Sequence, residues 1–230
     1  MSASQTDFVL DNPAWHALNS NHAHFAIGDG LAKRYPADIS PIAAIAAVDT
    51  ASLRDLAAIF APGEMLVVGG NELPPDPAGW TLNMKFPLIQ MVSEQPPVAA
   101  ETSETILTLS AADVPDMLAL IDLTHPGPFL PRTVELGHYI GIRKDGKLIA
   151  MAGERMFPPG YREISAVCTH PDAQGKGLAA LLVTHLALEN WNRGVIPFLH
   201  VSPENTRART LYQRLGFRQR VEAQLLVISY

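Results

Sequence analysis

Apolar positions recur at helical spacing in some stretches of this chain and alternate or run together in others. Behind Asp49 and Thr50, Leu53, Leu56, Ala57 and Phe60 fall on one helical face ahead of Pro62-Gly63. Met65 to Val68 and Leu82 to Val92 read as strands. From Glu94 to Glu104 the pattern lapses into a polar, proline-containing stretch, which predicts a linker. The expected organisation is therefore a mixed lobe over 1–95, a linker over 96–104 and a second domain over 105–230.

The second half is the more regular. Thr105 to Leu109 alternates as a strand, Ser110 can cap a helix running to about Leu123, and His125-Pro126-Gly127-Pro128 forces a turn. A short helix is expected at Arg132 to Leu136. Tyr139 to Arg143 and Lys147 to Phe157 flank Lys144-Asp145-Gly146, where Asp-Gly between apolar runs signals a hairpin. A strand at Tyr161 to Thr169, a helix from Gly177 to Asn192, a strand at Phe198 to Val201, a helix from Thr206 to Leu215 and a final strand pair between Phe217 and Tyr230 complete it. The order β-α-α-β-β-β-α-β-α-β-β predicts an α/β (α+β) fold with a mixed central sheet flanked by helices.

Composition narrows the function. The chain has 230 residues, 47% hydrophobic and 17% charged, enough to bury a substantial core. Its formal net charge of −6, with no run of Lys or Arg longer than a pair, argues against nucleic acid as a partner. Met1 to Leu10 lacks the basic start and apolar stretch of a secretory signal. The longest purely apolar run, Ile42 to Val48, is far below the ~18 residues of a membrane span, so no membrane partner and a cytoplasmic location are expected. Cys168 is the one cysteine and cannot form an internal disulfide. The histidines show no metal-ligand spacing, so no metal is expected.

The chemistry concentrates in Gln174-Gly175-Lys176-Gly177-Leu178-Ala179, between a strand and a helix that begins at once. Glycines let backbone amides approach a ligand, and the unsatisfied N–H groups of a helix start favour an anion, so the segment reads as a pyrophosphate cradle. It is neither G-x-G-x-x-G nor a Walker loop. By contrast Gly69-Gly70, followed by Asn71 and prolines, reads as a plain loop. Q-x-x-G-x-A resembles the acyl-CoA pyrophosphate motif of the GNAT acetyltransferases. The segment Asn205 to Phe217, NTRARTLYQRLGF, is similar to that family's N-x-x-A-x-x-L-Y-x-x-x-G-F on the next helix. With the preceding hairpin the resemblance covers about Thr105 to Phe217.

The resemblance implies acetyl-CoA as co-substrate and direct transfer of acetyl to a primary amine in a ternary complex. Gln174, Gly175, Gly177, Leu178 and Ala179 would line the pyrophosphate, with Lys176 near the phosphates. Backbone groups of Val167, Cys168 and Thr169 would pair with the pantetheine arm, Asn205 would hydrogen-bond it, and Tyr212 would stand near the thioester sulfur. A Lys-like amine, with a pKa near ~10.4, must lose a proton to attack, and the departing thiolate must gain one. Tyr212 suits the second task. For the first, Glu163, eleven positions before Gln174, is one candidate and Glu154 the rival. A backbone N–H near Val167 would stabilise the oxyanion. Cys168 alternates to the opposite face from Glu163 and reads as a small apolar residue rather than a nucleophile.

Acceptor selection in such proteins falls to the first helices, their loop and the last strands, which makes Phe129, Arg132, Glu154 and His200 the candidate substrate contacts. Arg132 could meet a carboxylate, although a surface arginine is the commoner reading. The chain looks like a two-lobed subgroup whose degenerate N-terminal lobe covers the acceptor side. The acceptor is expected to be a small molecule, amino acid or peptide, and the candidate assembly is a homodimer. A catalytically silent acyl-CoA sensor is the alternative sharing the same cradle.

Overall fold

The computed structural model describes residues 7–61, 63–99 and 102–230; Met1 to Thr6, Pro62 of the helix stop and Ala100 and Glu101 of the linker lie outside the described residues. The chain folds as mixed α/β, with a large mixed sheet flanked by helices. In chain order the strands are β1 (Ala32–Arg34), β2 (Ala43–Ile45), β3 (Leu66–Gly69), β4 (Thr81–Ser93), β5 (Leu107–Leu109), β6 (Tyr139–Lys144), β7 (Lys147–Glu154), β8 (Tyr161–Thr169), β9 (Ile196–Val201) and β10 (Phe217–Ser229). The α-helices are α1 (Pro13–Leu18), α2 (Thr50–Ala58), α3 (Val114–Thr124), α4 (Leu178–Asn192) and α5 (Thr206–Arg214).

Local chemistry explains most boundaries. Asp49 accepts the Ser52 N–H at 2.8 Å and caps α2. Ser110 and Asp113 form a reciprocal capping box that leads into α3, with Pro115 in its first turn. Asp145 and Gly146 both take positive φ, 51° and 79°, the backbone of a tight turn between β6 and β7. Gly216, with φ of 86°, reverses the chain after α5.

The eight-stranded sheet runs β3-β10-β4-β9-β8-β7-β6-β5, and only the β8–β9 pair is parallel. Strands from before residue 95 thus enter the same sheet as those after residue 105. The expected strand pair after Phe217 is instead one long strand. Nothing between Phe217 and Tyr230 offers turn chemistry, and the place beside β10 is taken by β4, paired from Phe217↔Ser93 to Ser229↔Thr81. A bulge interrupts this ladder at Arg220. The sequence pattern also missed β1, β2 and α1, each too short to show a period.

The largest buried cluster joins Met91, Ile140, Ile164, Leu182, Leu186, Leu199 and Tyr212, packing α4 and α5 on one face of the sheet. On the other face Leu10 and Ala17, from the start of the chain, meet Val92, Met156, Tyr161 and Phe198. A separate cluster of α2, β3, Trp80 and the end of β10 closes the far edge, with Trp80 donating to the Leu53 carbonyl at 2.9 Å. No helix of the described residues is long and apolar enough to cross a membrane.

Candidate active site

β8 and β9 pair over three positions only, from Tyr161↔Ile196 to Glu163↔Phe198. Past that point β8 continues to Thr169 and β9 to Val201 with no further register pair between them, which leaves a wedge-shaped gap in the middle of the sheet. Against β7, the register slips between Met151↔Cys168 and Gly153↔Ser165, so Ala166 and Val167 form a bulge opposite Ala152. Ala166 holds φ at 52°, a conformation few L-residues adopt without a reason. Its cost is of the order of 1 kcal/mol, and its effect is to take backbone groups out of the β7 ladder beside the gap.

At the end of β8 the chain passes through a single turn, Pro171–Ala173, into the glycine segment. Gly175 and Gly177 have φ of 80° and 78°, and a Cβ built on either meets nothing within 4 Å. Gly177 caps α4 without any side-chain hydrogen bond, so the first N–H groups of a 15-residue helix face outward uncapped. Arg207 on α5 donates to Gln174 Oε1 at 3.2 Å, bringing a guanidinium beside the cradle, while Lys176 is exposed and reaches the Asp172 carbonyl. Thr169 Oγ1 is buried and has no hydrogen-bond partner among the described residues, an orphan polar atom where the gap meets the cradle. These features fit an extended ligand with an anionic end. The pantetheine and pyrophosphate of coenzyme A are such a ligand.

Tyr212 lies in the cluster that also contains Leu178 and against which Val167 packs. Burial pushes its phenol up to about 12, so it stays protonated at neutral pH. Asn205 caps α5, its Oδ1 accepting the Ala208 N–H at 3.0 Å, while its carboxamide NH2 is a separate donor. Cys168 is buried against Met151, and burial raises its thiol to about 11, which leaves it inert as a nucleophile.

On the face of the sheet away from α4 and α5, Glu163 and His200 point into a shared network; the bulge at Ala166 and Val167 returns Cys168 to this same face, where simple alternation would set it opposite Glu163. Glu163 is fully buried and accepts from Arg155 through both oxygens, at 2.7 and 2.8 Å, while His200 Nδ1 lies 2.8 Å from Oε1. Burial by itself raises a carboxyl, but the Arg155 charge and the hydrogen bonds from Arg155 and His200 outweigh it and hold Glu163 at about 2. Beyond His200, its Nε2 lies 3.2 Å from Gln90 Nε2. Arg220, turned inward at its bulge, donates to Gln90 Oε1 at 3.0 Å and pairs with Asp11, and Gln90 also donates to the Leu10 carbonyl at 2.9 Å. With Gln90 Oε1 taken by a donor, its NH2 must donate to His200. His200 Nε2 is then the acceptor and Nδ1 carries the hydrogen to Glu163.

Arg155, His200 and Gln90 line a cavity of about 370 Å³. Its walls come from 10–14 and 42–48 and from the neighbouring strands β3, β10 and β4 with the 69–71 segment.

The remaining expected contacts lie elsewhere. Glu154 is fully buried but accepts from the His138 N–H and from Arg162, both at 3.1 Å, and lies 3.8 Å from Arg193, just past the C-terminal end of α4. At about 1.5 Å per residue, that end is about 22 Å from the cradle. Phe129 packs edge-on against Tyr139 in the core, and Arg132 is held by Asp38 and Glu135; neither lines the cavity. Sequence reasoning missed Arg155, Gln90 and Arg220 altogether. Gln90 and Arg220 carry no local signal, since Gln90 is 110 positions from His200 and Arg220 is 130 from Gln90, whereas Arg155, eight positions before Glu163, was within reach of a cross-strand charge-pair reading.

A splayed parallel pair, a bulged strand and a glycine-opened helix start together set the class of the fold, which the comparisons with known proteins identify. The family model described as FR47-like protein matches residues 139–226. A crystal structure of a GNAT-family protein from Novosphingobium aromaticivorans DSM 12444 is 33% identical, with a TM-score of 0.86 over 96% of this chain and 97% of that one. A GCN5-related N-acetyltransferase from Kribbella flavida shares the fold at 20% identity, with a TM-score of 0.62 over 98% and 96% of the two chains. The chain belongs to the GNAT family. It is also 32% identical over 85 residues to N-alpha-acetyltransferase RimI of Mycobacterium tuberculosis (strain ATCC 25618 / H37Rv), a match spanning 36% of this chain and 52% of that protein.

Proposed function

We propose that the protein is an N-acetyltransferase that moves acetyl from acetyl-CoA to a primary amine by direct attack, with CoA entering from the cradle side of the sheet and the amine from the cavity. The observation that carries this reading is the gap between β8 and β9. It has a glycine cradle and an orphan Thr169 hydroxyl along one approach, and a cavity lined by His200, backed by the buried Glu163, along the other.

In this reading Gln174, Gly175, Gly177, Leu178 and Ala179 receive the pyrophosphate on backbone N–H groups, with Lys176 and Arg207 contributing charge. Val167, Cys168 and Thr169 lend backbone groups to the pantetheine arm, and the bulge at Ala166 supplies the oxyanion donor. Glu163, doubly bound to Arg155 and ionised down to about 2, is too weak a base to take the amine proton itself. It acts through His200. The amine proton passes to Nε2 as the amine displaces the 3.2 Å contact with Gln90, and Glu163 stabilises the imidazolium on its other side. The amine nitrogen bonds to the thioester carbon, the C–S bond breaks, and Tyr212 gives its proton to the departing sulfur so that CoA leaves as the thiol.

The segment 1–95 serves as the acceptor-side lobe, since Leu10, Ile45 and Val67 wall the cavity while the cradle residues all lie after 105. Thiol release from acetyl-CoA, read together with mass spectrometry of the acceptor, tests the proposal. Acetylated amine appearing in step with free thiol is the expected result. CoA binding with no release from a broad amine panel would replace the enzyme with a silent acyl-CoA sensor.

A further inference from the structure

The cavity's lining says more than that something binds there. Most of it is aliphatic, including Leu10, Pro13, Ile45, Val67, Leu88 and Leu225. Leu88 and Leu225 reach it because β4 and β10 present alternate residues to that face, with Ala223 opposite Leu88 and Leu225 opposite Phe86. Phe86 is 45% exposed, so the apolar surface continues toward the open end of this ribbon. The volume, about 370 Å³, is at the small end of the ~300–1,000 Å³ typical of ligand cavities.

The charges in the lining are few and mostly answered. Arg155, the one Lys or Arg side chain lining the cavity among the described residues, is committed to Glu163 through two hydrogen bonds. Asp11 is paired with Arg220. Glu222 is exposed at the rim. A carboxylate or phosphate on the acceptor would therefore find no guanidinium to receive it, and a second ammonium held within the aliphatic walls, short of Glu222 at the rim, would carry a desolvation cost. An uncharged apolar body would be buried at a gain of about 25 cal/mol per Å².

From this lining we infer that the acceptor is a primary monoamine on a compact apolar body, a branched-alkyl or aryl-alkyl amine, with its nitrogen at the His200 end. The inference rests on the acetyltransferase reading and adds the acceptor class to it. An acceptor with a free carboxylate next to the amine, and a linear polyamine, are both disfavoured by the same walls.

The test compares kcat/KM for acetyl transfer to 2-phenylethylamine and isopentylamine with that for spermidine, alanine and a short peptide with a free N-terminus. At least a tenfold preference for the two apolar amines is expected. Leu88→Glu should erase that preference while leaving CoA affinity, measured by calorimetry, within twofold. Leu225→Glu repeats the test on the neighbouring strand should the first variant not fold. A preference for spermidine, alanine or the peptide overturns the acceptor class while the transferase reading stands. Absence of transfer to all five, with CoA bound, fails both.

Discussion

His200 Nδ1 and Glu163 Oε1 lie 2.8 Å apart across the point where β8 and β9 part company. The carboxylate is shut off from solvent and the imidazole is the member of the pair that faces the cavity. An imidazole with a buried carboxylate behind it can take a proton at Nε2 and have the resulting charge stabilised at Nδ1. His200→Gln keeps a hydrogen-bonding side chain of similar reach but no proton acceptor. It should lower kcat about 100-fold and leave the chain folded by circular dichroism.

Glu163→Gln carries a different signature. It leaves the Arg155 guanidinium buried without its counter-charge, a loss of about 3–5 kcal/mol in urea unfolding. In the native protein the same pair makes stability depend on pH. Because Glu163 is held at about 2 against an ordinary 4.5, its contribution is fully present above pH 4.5 and is lost as the pH falls toward 2. The unfolding midpoint of Glu163→Gln should therefore lack the part of the acid decline seen in the native chain below pH 4.5.

His22 produces a separate decline at higher pH. It is buried against Tyr35, 2.9 Å from its hydroxyl, and burial, with His24 next, lowers it from 6.5 to about 4. The unfolded chain binds a proton that the folded one refuses between those values, so stability present above pH 6.5 falls away toward pH 4. The total is about 3 kcal/mol, at 1.36 kcal/mol per unit. Thermal unfolding of His22→Phe across this range should show a flatter dependence than the native protein; an unchanged slope would assign the effect elsewhere.

Tyr212→Phe removes the phenol from a site where burial keeps it protonated to about 12. Transfer should slow by about 100-fold, with the CoA dissociation constant unchanged and stability altered by no more than about 1 kcal/mol. An unchanged rate would make Tyr212 a packing residue of its cluster.

Much of the fold was legible because its signals are local. The Ser110–Asp113 capping box, the Asp145-Gly146 turn and the strand–glycine–helix passage into α4 are each settled within a few residues. The segment Gln174 to Ala179 and the helix bearing Tyr212 could be identified for the same reason. The strand beside β10 could not. Phe217 to Ser229 has the composition of a strand, but nothing in it says that its partner is Thr81 to Ser93 rather than a second strand of its own. The surroundings of the two candidate carboxylates were hidden in the same way. Glu163 and Glu154 are both buried carboxylates near strand ends, and what separates them is the company they keep. Arg155 and His200 hold one at the cavity, while Arg162 and Arg193 hold the other at the far end of α4.

The most direct test of the central claim is calorimetric titration of CoA into the native protein and into Gly177→Val, a change at a positive-φ cap where side chains are disfavoured and where the amides must stay open. The account predicts one CoA per chain for the native protein and at least a tenfold loss of affinity in the variant. Equal affinity in both, or no CoA binding to the native chain, would contradict it.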